Sequence, residues 1–174
     1  MIVICRSLIE TEENVMSQYK LSVYLKTILA GVSICGLIVY IWILPRCGES
    51  LHASFPEFAA WHWPWMFFLW VTAIPVGAAL ALGWQIAVHI GEDRSFSITN
   101  ARLLQIIAWL AAGDTLYFFI GNIVMLLLNM NHPAILLISM LICFAGVAVT
   151  IAAACLSHLV RKAADLQEQS DLTV

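Results

Sequence analysis

The sequence predicts an all-α integral membrane protein, a bundle of four transmembrane helices with both termini in the cytoplasm. Three observations predict it. Of the 174 residues, 62% are hydrophobic and 11% charged, against roughly 45–50% apolar in an ordinary soluble domain. Four apolar stretches reach the roughly 20 residues that a helix rising about 1.5 Å per residue needs to cross a hydrocarbon core about 30 Å thick. Seven of the eight Lys and Arg residues fall on one side of those stretches, the bias that holds short loops in the cytoplasm.

The first span is expected over about 21–44, uncharged after Lys26. The second, over about 65–89, contains Pro75, which has no N–H to give and is expected to kink the helix. The third, about 103–128, is interrupted by Asp114; the fourth, about 134–159, has no ionisable residue except cysteine until His158. Ahead of them, Glu10, Glu12 and Glu13 stand where a signal peptide would be basic, and no A-x-A-like cleavage site follows. Met16 opens MSQYKLSVYLK, a more usual lead into a membrane helix. Residues 1–15 are therefore expected to be a mobile extension or a start placed too far upstream. Residues 16–174 then form a single four-helix domain, with a short cytoplasmic tail over 160–174.

Orientation follows from the basic residues. Arg6, Lys20, Lys26, Arg94, Arg102, Arg161 and Lys162 share the inner side, and Arg46 alone lies outside. Tyr40, Trp42, Trp61, Trp63 and Trp65 gather at the outer ends of the first two spans. Amphipathic rings prefer the headgroup layer, so WHWPW is expected to be an interfacial belt and not a ligand site. The outer surface is limited to a loop over 45–64, carrying Glu49, His52, Glu57 and His62, and a tight NMNHP turn from Asn129 to Pro133.

Several function classes are set aside. A formal charge of −3 with scattered basic residues offers no stripe for phosphates, so no direct nucleic-acid binding is expected. The five cysteines form no CxxC pair; Cys35, Cys143 and Cys155 lie in apolar runs and Cys47 toward the outside. His52, His62 and His132 could meet at the outer surface and His89 with His158 at the inner one. Those positions at helix ends, without H-x-x-H spacing, suit interfacial polar residues better than haem or a metal. No Ser or Cys stands in a nucleophile signature, so the expectation is a non-enzyme with no cofactor and no metal.

The inner loop reads GEDRSFSITNARLLQI from Gly91 to Ile106. Gly91 is expected to end the second helix with a positive φ, and Ser97 to cap the third. Phe96 is expected to pack on a residue such as Leu103. In the tail, LSHLVRKAADLQEQSDLTV, Leu159, Ala163 and Leu166 share one face of a helical extension, with Arg161, Lys162, Asp165 and Glu168 on others.

These two segments resemble the domain-of-unknown-function 2975 family, the YoaS-like bacterial four-helix membrane proteins. Gly91, Phe96, Ser97, Asn100, Leu103 and Ile106 match the family's inner loop. Lys162, Ala163, Leu166, Glu168, Asp171, Leu172, Thr173 and Val174 match its tail. The chain departs from the pattern at Ser95, where proline is usual, and at Arg102, one place early. The resemblance implies a fold and a topology but no reaction. It also implies a context, since members are commonly encoded beside a small helix-turn-helix regulator.

Asp114 sits roughly 16 Å into its span, where a carboxylate costs about 2.5–3.5 kcal/mol. It should face the bundle interior, protonated or paired, with Thr72, Ser33, Thr150 or Tyr117 as candidate neighbours. A helix-to-helix hydrogen bond is one reading of it, which Gly113, Gly121 and Asn122 favour by allowing close approach. A proton, ion or ligand site is the other. Two functions follow: a membrane sensor or anchor for a small cytosolic helix-turn-helix regulator, bound through loop and tail, or a small transporter or immunity-type protein using Asp114.

Overall fold

The computed structural model describes residues 2–54, 62–92, 94–130 and 133–171, and side chains over 18–50, 62–92, 94–130 and 135–170. The elements are α1 (Ile2–Ile38), a π-helical segment (Val39–Ile43), α2 (Leu44–Ser54), α3 (His62–Gly91), α4 (Ile98–Leu127) and α5 (Pro133–Asp171). No strand occurs among the described residues. Four helical stretches are long and apolar enough to cross a membrane: Gln18–Ser50, His62–Gly91, Ile98–Leu127 and Ile135–Ser170. Four candidate spans are thus present where four were expected; the first two extend beyond the expected bounds at both ends, the third begins earlier and the fourth runs on further. Helix α1 also runs through the stretch 2–15.

The π segment has a local cause in Pro45. Winding α1 more loosely lets the Leu44 N–H reach the Val39 carbonyl five residues back. The next bond of that register would join the Tyr40 carbonyl to an N–H that Pro45 lacks. Trp70 of α3 supplies the missing donor, its Nε1 lying 3.4 Å from the Tyr40 carbonyl. Beside it, Thr72 Oγ1 donates to the Leu69 carbonyl at 2.7 Å. The Tyr40 hydroxyl must therefore be the donor in its 2.8 Å bond to Thr72 Oγ1. The first span is fastened to the second at the point where proline would otherwise leave it unsatisfied.

Helix α1 packs on α3, α3 on α4, and α4 most extensively on α5. Among the described residues α1 and α5 make no extended contact, so the bundle is open between its first and last spans. Each packed pair is antiparallel. Ser22 meets Ala87 and Tyr40 meets Thr72; Phe68 meets Gly121 and His89 meets Asn100; Ala101 meets Ser157 and Asn122 meets Ser139.

Inside and outside are reversed relative to a soluble protein. Large apolar residues such as Ile74, Trp109, Leu137 and Phe144 are exposed on the bundle surface, because lipid is as apolar as they are. Buried positions include Ser22, Thr72, Asn100, Asn122, Ser139 and Ser157. Small and polar residues let helices approach and hydrogen-bond where there is no hydrophobic drive between them. Among the described residues a buried apolar cluster forms from Phe68, Met125 and Met130, with Trp65, Leu69 and Phe118 around it. Phe68 stacks on Phe118 with ring centroids 5.7 Å apart and meets Trp65 edge-on at 5.9 Å.

The α4 C-terminus explains how that cluster is closed. Asn129 takes φ 55°, a left-handed conformation that asparagine tolerates. This turns the chain so that Asn129 N–H donates to the Leu126 carbonyl at 3.0 Å and Met130 N–H to the Met125 carbonyl at 2.8 Å. That is the double-bonded helix stop with its apolar contact between the third-last residue and the second beyond. Trp65 Nε1 donates to the Met130 carbonyl at 3.2 Å and ties the turn to α3.

Candidate functional site

The loop between α3 and α4 is built around one buried side chain. Ser97 caps α4 as expected, its hydroxyl accepting from the Asn100 N–H at 3.2 Å. That bond sets Asn100, only 1% exposed, under the loop. Its Nδ2 donates to the Arg94 carbonyl at 2.9 Å and to the Ser95 carbonyl at 3.1 Å. Both amide protons are thereby used, so Asn100 Oδ1 is the acceptor in its 2.7 Å contact with His89 Nδ1. His89 must hold a proton on Nδ1, which leaves Nε2 free to accept when the ring is neutral. Asn100 thus joins the end of α3, the loop backbone and the start of α4.

Neighbouring helices extend this node. Ser22 of α1 donates to the Ala87 carbonyl at 2.6 Å, and Ser157 of α5 to the Ala101 carbonyl at 2.7 Å. The Ser95 hydroxyl reaches Gln18 Oε1 at 3.2 Å. Gly91 is needed here for a different reason from the one expected. No glycine among the described residues has a positive φ. A Cβ on Gly91 would lie 2.8 Å from Ser22 Oγ, so the residue is small because α1 crosses against it.

Of the other family-motif residues, Leu103 is half-buried and Ile106 is exposed. Phe96 is 58% exposed and does not bury itself on the helix ends as expected. It extends from a loop that Asn100 already holds rigid. In the tail, α5 continues to Asp171, and Arg161, Lys162, Asp165 and Glu168 are exposed. The packed face of this extension is not the expected one. Leu159 and Leu166 are exposed, Ala163 is half-buried, and the buried positions are Ser157 and Ala164. Small residues win that face because α4 lies close, and the leucines turn outward. Leu172, Thr173 and Val174 lie outside the described residues.

Of the two possible histidine groupings, the outer one falls partly on residues outside the described side chains, and at the inner one each histidine has surroundings of its own. His89 pairs with Asn100, His158 is exposed, and His62 rests edge-on to Trp63 at 5.9 Å. His52 and His132 lie outside the described side chains, as does Glu57. Among the described residues no three His, Cys, Asp or Glu side chains gather to hold a metal. Cys35, Cys47 and Cys155 are exposed, and Cys143 is half-buried.

None of the four neighbours expected for Asp114 pairs with it. Thr72 bonds Leu69 and Tyr40, Ser33 bonds the Leu29 carbonyl, and Thr150 bonds the Gly146 carbonyl. The Tyr117 hydroxyl lies 3.4 Å from the Phe68 carbonyl. Three of these hydroxyls turn back onto their own helices, a low-cost partner in an apolar medium. Asp114 Oδ1 is left buried with no hydrogen-bond partner.

Sequence reasoning missed Gln18, Ser22, Ser95 and Ser157, which carry the cross-helix bonds around the loop. Their only signal was a polar residue in the loop or toward the loop-side end of the first or last span. The family model described as a protein of unknown function, DUF2975, matches residues 46–174, which include both the loop and the tail. A protein of Bacillus subtilis (strain 168) described as uncharacterized membrane protein YoaS is 28% identical over 155 residues, covering 88% of this chain and 97% of its own length. No solved structure matches.

Proposed function

We propose that this chain, which belongs to the DUF2975 family, is a non-enzymatic multi-pass component of the bacterial plasma membrane that docks a small cytosolic helix-turn-helix regulator. Both termini, the 91–97 loop and the end of α5 lie in the cytoplasm. The observation that carries this reading is the Asn100 node. It holds the loop backbone in one shape with four hydrogen bonds while leaving Arg94 and Phe96 exposed. A pre-ordered surface with an exposed aromatic and an arginine binds a protein partner without first paying to order itself. The helix beyond the membrane adds Arg161, Lys162, Asp165 and Glu168, mixed in sign and exposed, which suits recognition by charge pattern. Sequestration of the regulator at the membrane is the mechanism, and a shift in helix packing near Pro75 and Asp114 would alter its release.

Two measurements test this. Reporters fused at Val174 and within residues 45–64 are expected on opposite sides of the membrane; the same side for both would remove the topology and the docking surface with it. A small helix-turn-helix regulator proposed as the partner is expected to co-purify with the full chain and to be lost from a chain truncated after Lys162. Equal recovery from both would end the tail's role.

A further inference from the structure

We infer that Asp114 and the backbone carbonyl released by Pro75 together form a proton-binding site between α3 and α4, in the middle of the membrane. Two contacts fix how these helices face each other. Near one end the Phe68 ring lies against Gly121, and near the other His89 bonds Asn100 at 2.7 Å. Starting at the Phe68–Gly121 contact, seven residues along α3 is Pro75 and seven residues back along α4 is Asp114. Fourteen further on each helix are His89 and Asn100. Seven residues is two turns, which returns to nearly the same face. Pro75 and Asp114 therefore stand opposite each other, on the facing sides of an antiparallel pair whose register is pinned at both ends. Phe118, four residues from Asp114, stacks on Phe68 and confirms that this face of α4 looks toward α3.

What meets there is a surplus of acceptors. Asp114 Oδ1 is buried without a partner. Pro75 has no N–H, so the α-helical bond to the Val71 carbonyl cannot form. An unpartnered carboxyl oxygen and a carbonyl deprived of its α-helical donor, set on the facing sides of the two helices, are satisfied together by one proton shared between them. The carboxylate takes it up from hydronium in the bulk solvent, leaving water; an O–H bond forms on Asp114 and is donated to the Val71 carbonyl. In membrane helices a carbonyl freed by proline is met by a neighbouring helix in this way. A metal cation fits poorly, since Ca²⁺ takes roughly 6–8 oxygens and Mg²⁺ a full octahedron. No carboxylate or basic side chain competes. Residues 70–80 of α3 contain no ionisable side chain, α1 brings Cys35 and Tyr40, the latter bonded to Thr72, Cys143 is the sole candidate over 140–150 of α5, and Tyr117 on α4 is engaged with Phe68.

Infrared difference spectroscopy of the purified protein in neutral buffer tests the site, independently of any regulator binding. An un-ionised carboxylic acid C=O band is expected that disappears in Asp114→Asn. Asparagine keeps a donor for the same carbonyl, so this variant should remain folded. In Pro75→Ala the backbone gains an N–H for Val71, and the acid band is expected to move to the frequency of a carboxyl group with a weaker hydrogen bond. Absence of an acid band belonging to Asp114 would overturn the proton site. A band unmoved in folded Pro75→Ala would overturn the Val71 partner.

Discussion

Asn100→Asp is expected to destabilise the protein more than Asn100→Ala, although aspartate has the same shape as the native residue. In the wild type, Asn100 Nδ2 gives its protons to the Arg94 and Ser95 carbonyls at 2.9 and 3.1 Å. An aspartate puts an oxygen in that place, and two pairs of acceptors then face each other at hydrogen-bond distance. It does so at a site 1% exposed, where an unpaired charge is costly. Alanine removes three side-chain bonds, each worth about 0.5–1.5 kcal/mol net, and leaves the Arg94 and Ser95 carbonyls without this donor, for a loss of about 3 kcal/mol. Aspartate should exceed that figure. The unfolding midpoint in detergent measures the order of the two variants, and tryptic cleavage at Arg94 reports whether the loop has come loose. An aspartate variant as stable as the alanine one would mean that the amide protons are not what holds the loop. Because the proposed docking surface would be shaped by this node, that proposal expects both substitutions also to weaken regulator retention, even though neither touches an exposed residue.

The spans were legible in the sequence because length and apolarity in lipid are one-dimensional quantities; no knowledge of neighbours is needed to see that Leu103 begins a crossing. The Ser97 cap was legible for a similar reason, since its partner Asn100 is three residues away. What the sequence could not carry was anything that depends on which helix lies opposite. Gly91 reads as a turn glycine until Ser22 is found 2.8 Å from where its Cβ would be. Leu159 and Leu166 read as a packed stripe because apolar residues pack inward in water, but at the edge of a bilayer Ser157 and Ala164 take that place. Asp114 was visible as a buried carboxyl. Its surroundings were not, because the hydroxyls at its depth prefer carbonyls within their own or a neighbouring helix. The opening between α1 and α5 left no trace in the chain at all.

Gly113 and Gly121 separate the same two kinds of information, and their substitution by alanine is expected to act in opposite directions. Both glycines were read as places of close helix approach. A Cβ on Gly113 would meet nothing within 4 Å, whereas one on Gly121 would run into the Phe68 ring, with Cζ only 2.6 Å away. That ring has little room to yield. It is 6% exposed and held by Trp65, Tyr117 and Phe118 at centroid distances of 5.9, 5.1 and 5.7 Å. Gly113→Ala should therefore stabilise the helix by up to about 1 kcal/mol, the ordinary gain in propensity. Gly121→Ala has the same gain available but forces overpacking that costs about 1–3 kcal/mol, so the net effect is a loss. Gly121→Val, with two more carbons against the ring, should lose the most. Unfolding in a denaturing detergent gives the sign for each variant, and equal shifts at the two positions would mean that α3 does not meet α4 through Phe68. The consequence reaches beyond stability. The Phe68–Gly121 contact is one of the two that set the register of α3 against α4, so a shift there moves Pro75 relative to Asp114 two turns away. Folded Gly121→Ala should then disturb the Asp114 acid band while folded Gly113→Ala leaves it in place, although Gly113 is the immediate neighbour of Asp114.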